Sequence, residues 1–129
     1  MIGVIYLNWY TAEGSGGIPG QITAATAAAQ RNAVMFSPVG NILDANTTPG
    51  TNPTTLPGFQ QLQNLVRFGT IDTVLVATLN RLAQDAPNFA IAMQALRGLY
   101  PLTMIISAGG WDTLGGDQVD AVTAMLAGK

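Results

Sequence analysis

Four short apolar runs recur along the chain, and each is separated from the next by a segment with helical character. This alternation is the feature that most restricts the fold. Residues 2–9 (IGVIYLNW) are β-branched and aromatic with no 3.6-residue period, which predicts a buried strand. Residues 33–37 (AVMFS), closed by Pro38, predict a second, and 71–78 (IDTVLVAT) the most strongly apolar one. Residues 102–107 (LTMIIS) predict a fourth. Between them, 21–31 is Ala-rich and helix-favouring. A helix over 56–68 starts with Pro57 in its first turn and stops at Gly69. Residues 80–98 place Leu82, Phe89, Met93 and Leu96 at helical spacing, and Pro87 should kink or split that run near Asp85 and Ala86. A last helix is expected over 117–127.

Strands alternating with helices join by right-handed crossovers into a parallel sheet covered on both faces. The expectation is a three-layer α/β domain with a mainly parallel sheet of about four to five strands, the first of them central. The 129 residues fit a single domain spanning 1–129. Residues 38–54, rich in Pro, Gly, Asn and Thr, read as a surface loop, and GGWDTLGG at 109–116 as another.

Composition removes several kinds of chemistry. The chain has no Cys and no His, so it has neither thiolate nor imidazole for catalysis or metal binding. Ser15 and Ser37 therefore lack the base of a hydrolase triad. Asp44, Asp72 and Asp112 are scattered, and neither a metal nor a cofactor is expected. GSGGIPG lacks the Lys-Ser/Thr of a phosphate-binding loop and the dinucleotide spacing. Only 9% of residues are charged, with five basic and seven acidic residues giving a net −2. So few cations make a poor footprint for nucleic acid. The apolar stretches are too short to span a bilayer and no signal-peptide pattern opens the chain, so no membrane association and a cytoplasmic location are expected.

Four blocks in order carry a more specific signal: VIYLNWYTAE at 4–13, LPGFQQL at 56–62, GTIDTVLVATLNRLAQD at 69–85 and GGWDT at 109–113. Together they resemble the N-terminal catalytic domain of serine recombinases, the resolvase/invertase family. That family has an Arg-x-Ser-Thr turn after its first strand, an Arg-Pro-Gly-Phe/Leu helix start, and Gly-x-Ile-Asp leading through a strand to Asp-Arg-Leu-Ala-Arg-Asp. The resemblance implies a resolvase-like fold and a family role in DNA cleavage and exchange during site-specific recombination. A serine hydroxyl there attacks a phosphodiester while arginines cage the phosphate.

Carried over position by position, the nucleophile falls on Tyr10 and the Arg two residues earlier on Asn8. The Arg before Pro-Gly falls on Leu56, the first acid of the later run on Asn80, and its second Arg on Gln84, while Arg81 is retained. Asp44 and Gln21 match an acid and a Gln of the family, across loops of different length. The serine is thus replaced and three of four arginines are neutral, so the resemblance implies a catalytically degenerate, inactive domain serving as an interaction or scaffold module. Two alternatives remain at this point: a strand-transfer or nicking domain with Tyr10 as substitute nucleophile, and a small-molecule-binding α/β domain using the crevice at Asn8, Tyr10 and Asn80. The favoured reading of Tyr10 is a partly exposed aromatic packed beside Trp9, and a pairing of Arg81 with Asp85 four residues on is the plain alternative to a phosphate contact. A single resolvase-like catalytic-type domain is expected over 1–129, with no C-terminal DNA-binding domain of the family expected within these residues. The resemblance also points to a homodimer or higher oligomer through the last helix, where Val119, Val122, Met125 and Leu126 form an apolar stripe.

Overall fold

A computed structural model describes residues 1–98, 103–113 and 118–129. Leu102, Asp117, residues 114–116 and the side chain of Val119, all placed in elements or loops by the sequence reading, lie outside the described residues. The elements in order are β1 (Ile2–Tyr10), α1 (Ile18–Arg31), β2 (Met35–Phe36), β3 (Ile42–Thr47), α2 (Pro57–Arg67), β4 (Thr73–Val76), α3 (Ala86–Arg97), β5 (Met104–Ser107), β6 (Trp111–Asp112) and α4 (Gln118–Leu126). Single 3-10 turns at Ser15–Gly17, Pro53–Thr55 and Leu79–Arg81 link some of them.

The sheet runs β2-β1-β4-β5-β6, with β3 also paired to β1, and β1 has partners on both sides as its uncharged, apolar sequence demands. All pairings are parallel except β5 with β6. Ile5, Leu7 and Leu75 on one face meet Ala25, Ala28 and Ala29 of α1, whose small side chains let the helix approach closely. On the other face Val4, Tyr6, Val74 and Val76 pack against Phe59 and Leu62 of α2, Phe89 and Leu96 of α3, and Met125 of α4. The result is three layers, with one helix on one side and three on the other. No helix among the described residues is long and apolar enough to cross a membrane.

Three expectations are corrected. The 38–54 segment is not all loop, because Ile42–Thr47 forms the six-residue strand β3, whereas the expected strand at 33–37 contracts to the two-residue β2. β2 pairs with β1 at Ile2 and Gly3, so Ser37 lies beside the start of β1 and not at the carboxyl ends of the strands. Within 109–116, Trp111 and Asp112 form the short antiparallel β6 rather than loop. The expected break at Pro87 is present: a 3-10 turn ends at Arg81, and α3 begins at Ala86 with Asp85 as its cap, accepting from the Asn88 N–H at 2.9 Å.

Asp44 explains why an acid sits inside β3. Its side chain points inward and is 5% exposed. It accepts from the N–H groups of Gly58 (2.7 Å) and Phe59 (2.8 Å) and from the Tyr6 hydroxyl (2.5 Å). The carboxylate thus caps α2 from a neighbouring strand, where the positive end of the helix dipole favours it. A Cβ on Gly58 would lie 2.8 Å from that carboxylate, which accounts for glycine in LPGF.

The apolar stripe of α4 is mostly consumed by the domain's own core. Ala121, Ala124 and Met125 are buried, Val122 packs partly against the same cluster, and Leu126 remains 66% exposed. Gly128, with φ of 82°, ends the helix: its N–H reaches the carbonyl of Met125 and that of Lys129 reaches Ala124. This paired return is the Schellman arrangement that a left-handed glycine permits.

Because Asp44 satisfies two helix donors and a buried phenol at once, Asp44→Ala should lower the unfolding free energy by about 3 kcal/mol. Urea denaturation monitored by circular dichroism measures this directly, and an unchanged midpoint would contradict the capping role.

Candidate functional site

At the carboxyl ends of β1 and β3, the strand residues and the turn following β4 meet in a polar, hydrogen-bonded cluster at the position expected for the crevice. At its floor lies Asn8, 1% exposed. Its Nδ2 donates to the Arg81 carbonyl (3.2 Å), and its Oδ1 accepts from the Thr47 hydroxyl (2.7 Å). Its backbone carbonyl accepts from Gln21 Nε2 at 2.8 Å and from Arg81 Nη1 at 3.2 Å. One residue thereby joins β1, β3, α1 and the 79–81 turn. Thr47 reaches inward because the β1–β3 register shifts between Asn8 and Tyr10, and Asn46, at φ of 54°, takes up the extra residue.

Tyr10 closes the crevice. It is 3% exposed, and its hydroxyl donates to the Asn80 carbonyl at 2.6 Å. Burial pushes the phenol well above the ordinary tyrosine range. The Arg81 cation opposes this shift, and Glu13 and Asp85 add to it. The guanidinium of Arg81 lies 5.9 Å from the centroid of the Tyr10 ring, within cation–π range.

Arg81 does not pair with Asp85. It forms a two-pronged ion pair with Glu13, Nη1 to Oε1 at 2.7 Å and Nη2 to Oε2 at 2.9 Å. Asp85 instead turns to Asn88. The Tyr10 N–H also donates to Glu13 Oε1 at 3.0 Å. The hydrogen bonds from Arg81 hold the Glu13 carboxyl below the usual carboxylate range, partial burial opposing.

Sequence reasoning assigned Glu13 no role. A signal was present: Glu13 is the only acidic residue before Asp44 in a chain with little charge, and it lies just past the strand carrying Asn8 and Tyr10. Thr47 was hidden by the loop reading of its strand.

The structure therefore brings Asn8, Tyr10, Asn80 and Arg81 into direct contact. Gln84 is exposed and lines, with Asn80, Met125, Leu126 and Gly128, a neighbouring open cleft of about 330 Å³. Leu56 stands apart at the start of α2, partly buried against the larger core. Asp44 and Gln21 both have defined structural partners, the α2 N-terminus and the backbone of Asn8. Among the described residues no group of three or more acidic side chains is placed to hold a metal ion.

This architecture, with its mostly parallel sheet and four helices among the described residues, is the fold of serine recombinase catalytic domains. The chain is similar to the N-terminal catalytic domain of TP901-1 integrase, with a TM-score of 0.75 and 22% identity over 98% of this chain and 92% of that one. It is also similar to the C-terminal catalytic domain of ISC1926 TnpA, an IS607-like serine recombinase (TM-score 0.67, 21% identity, 86% of this chain and 72% of that one). A resolvase family site-specific recombinase from Streptococcus pneumoniae gives a TM-score of 0.66 at 19% identity, over 96% of this chain and 83% of that one. No protein-family model matches the chain, and no curated protein matches it by sequence.

Burial also raises the Tyr6 hydroxyl, its bond to Asp44 adding to the effect. A phenol that stays protonated in the folded state while its unfolded counterpart ionises near pH 10 makes stability fall as pH rises above about 10. Absorbance at 295 nm should therefore show Tyr6 and Tyr10 ionising only together with alkaline unfolding. Reversible ionisation of either near pH 10 in the folded protein would contradict the burial described.

Proposed function

We propose that this is a recombinase-fold domain that has lost strand-cleaving chemistry and acts as an interaction or scaffold module. The observation that carries the reading is the hydrogen bond from the Tyr10 hydroxyl to the Asn80 carbonyl. A nucleophile must be reachable and able to lose its proton. Tyr10 is buried, donates its proton to a carbonyl, and is held protonated by its surroundings.

The electrostatics support the same reading. Phosphoryl transfer depends on positive charge directed at the equatorial oxygens of the phosphate. At the positions where the resemblance implies such charge stand Asn8, Leu56 and Gln84, and Arg81 is neutralised by Glu13. With a net charge of −2 the chain has little to draw DNA toward the crevice. DNA as a partner then rests on the fold likeness alone, since the solved structures it matches are described as an integrase domain and recombinases.

A scaffold acts through contact. Self-association through α4, as the family resemblance implies, would run through Leu126, because Val122 and Met125 already pack on the domain's own core.

Incubation with supercoiled plasmid should leave no covalent protein–DNA adduct on a denaturing gel and no nicked circles. An adduct that disappears in Tyr10→Phe would overturn the reading and establish Tyr10 as a working nucleophile.

A further inference from the structure

Among the described residues α1 is the single helix on its side of the sheet, and it stops short of the sheet's edge. It packs on Ile5 and Leu7 of β1, Leu75 of β4 and Ile106 of β5. β2 and β3 lie beyond it. Each pairs only with β1 among the described residues, so together they form an open edge. Neighbours in register on adjacent strands share a face of the sheet. Leu43 lies level with Leu7 and Phe36 level with Gly3, which puts both on the α1 side. With no helix above them, Phe36 and Leu43 are each 46% exposed, and Val39, between the two strands, is 42% exposed. Ala45, two residues on from Leu43, is exposed on the same face.

Open edges are normally defended, because their unpaired N–H and C=O groups can template another chain. Exposed lysines, prolines within the strand, or bulges do this. Little of that defence is present here. Between Arg31 and Arg67 the only charged residue is Asp44, which is buried and turned to the α2 face. Pro38 falls between the two strands and not within β3. The register shift of β3 comes only past Asp44, toward its carboxyl end.

We propose that this edge is an interface between two copies of the chain, with β3 pairing antiparallel to its counterpart across a two-fold axis so that the sheet continues from one copy into the other. Charge selects a second copy as the occupant. A two-fold contact sets a surface against itself, so an exposed charge would meet its like; this surface carries none. A partner with a charged surface would lose water here and gain no compensating group. Burial of Phe36, Val39 and Leu43 from both copies supplies the drive for association. The proposal goes beyond the reading above: it holds whether or not the crevice cleaves DNA, and it uses a different surface from Leu126 of α4.

The test is sedimentation equilibrium from micromolar to millimolar protein. Wild type should rise from monomer toward dimer mass. Leu43→Lys should weaken the association at least ~10-fold, because it removes apolar burial from both copies and sets like charges near each other across the axis. Leu126→Lys should leave it unchanged. Phe36→Lys repeats the measurement at a second exposed position, and circular dichroism checks that each variant is folded. The chain has no Cys, so Leu43→Cys and Ala45→Cys each introduce a lone thiol. Residues opposite one another on antiparallel strands lie within disulfide reach, and the variant nearer the axis should cross-link to a dimer on mild oxidation. A monomer at every concentration overturns the proposal, and one that binds an added extended apolar peptide at this edge assigns the edge to a different chain. A dimer lost in Leu126→Lys but kept in Leu43→Lys also overturns it, and leaves the interaction-module reading in place on α4. Plasmid nicking by a protein that dimerises through Leu43 would instead overturn the non-cleaving reading and leave the interface standing.

Discussion

The carboxyl end of β1 is buried and polar, and Thr47, Gln21 and Arg81 pair the polar groups of Asn8 there, although Arg81 Nε is itself left without a partner. An unpaired buried donor or acceptor costs about 1–3 kcal/mol. Asn8 escapes that cost only if Thr47, Gln21 and Arg81 all arrive together. Thr47 requires the shifted register of β3, Gln21 requires α1 to dock with its first turns over β1, and Arg81 requires the 3-10 turn after β4. A single residue therefore fixes how a strand, a helix and a turn meet. Asp44 performs the corresponding task one layer away, joining β3 to the start of α2 and to Tyr6.

The parts of the fold legible in the sequence are those written in local pattern. β1, β4 and β5 are continuous apolar runs because they are covered on both faces, and Pro87 marks the start of α3 because it lacks the N–H that a helix interior needs. β3 was not legible. Its sequence, ILDANT, holds an Asp and an Asn that disfavour strands, and both are there for tertiary reasons: Asp44 caps a helix 14 residues on, and Asn46 absorbs the register shift. The crevice was half legible. The carried-over positions of Asn8, Tyr10, Asn80 and Arg81 do meet, Gln84 shares an adjoining open cleft with Asn80, and Leu56 packs on the larger core. Glu13 escaped because a pairing between residues 68 apart leaves no periodic trace.

On the reading proposed above, the polar groups at the end of β1 serve the structure. Arg81 is paired with the acid Glu13 and lies against the ring of Tyr10. The two apolar cores on either side of the sheet are built separately from these polar groups, which set how β3, α1 and the 79–81 turn meet β1. Such a scaffold hosts different functions according to what stands at its strand ends.

That account makes a claim about stability which can be measured without any assay of function. Residues retained for catalysis commonly cost stability, so substituting them leaves a protein as stable or more so. Residues retained for structure do the opposite. The direct measurement is the unfolding free energy of Tyr10→Phe, which removes the hydroxyl from the Asn80 carbonyl and changes little else. The account predicts a loss of about 1 kcal/mol in urea denaturation; unchanged or increased stability would contradict it.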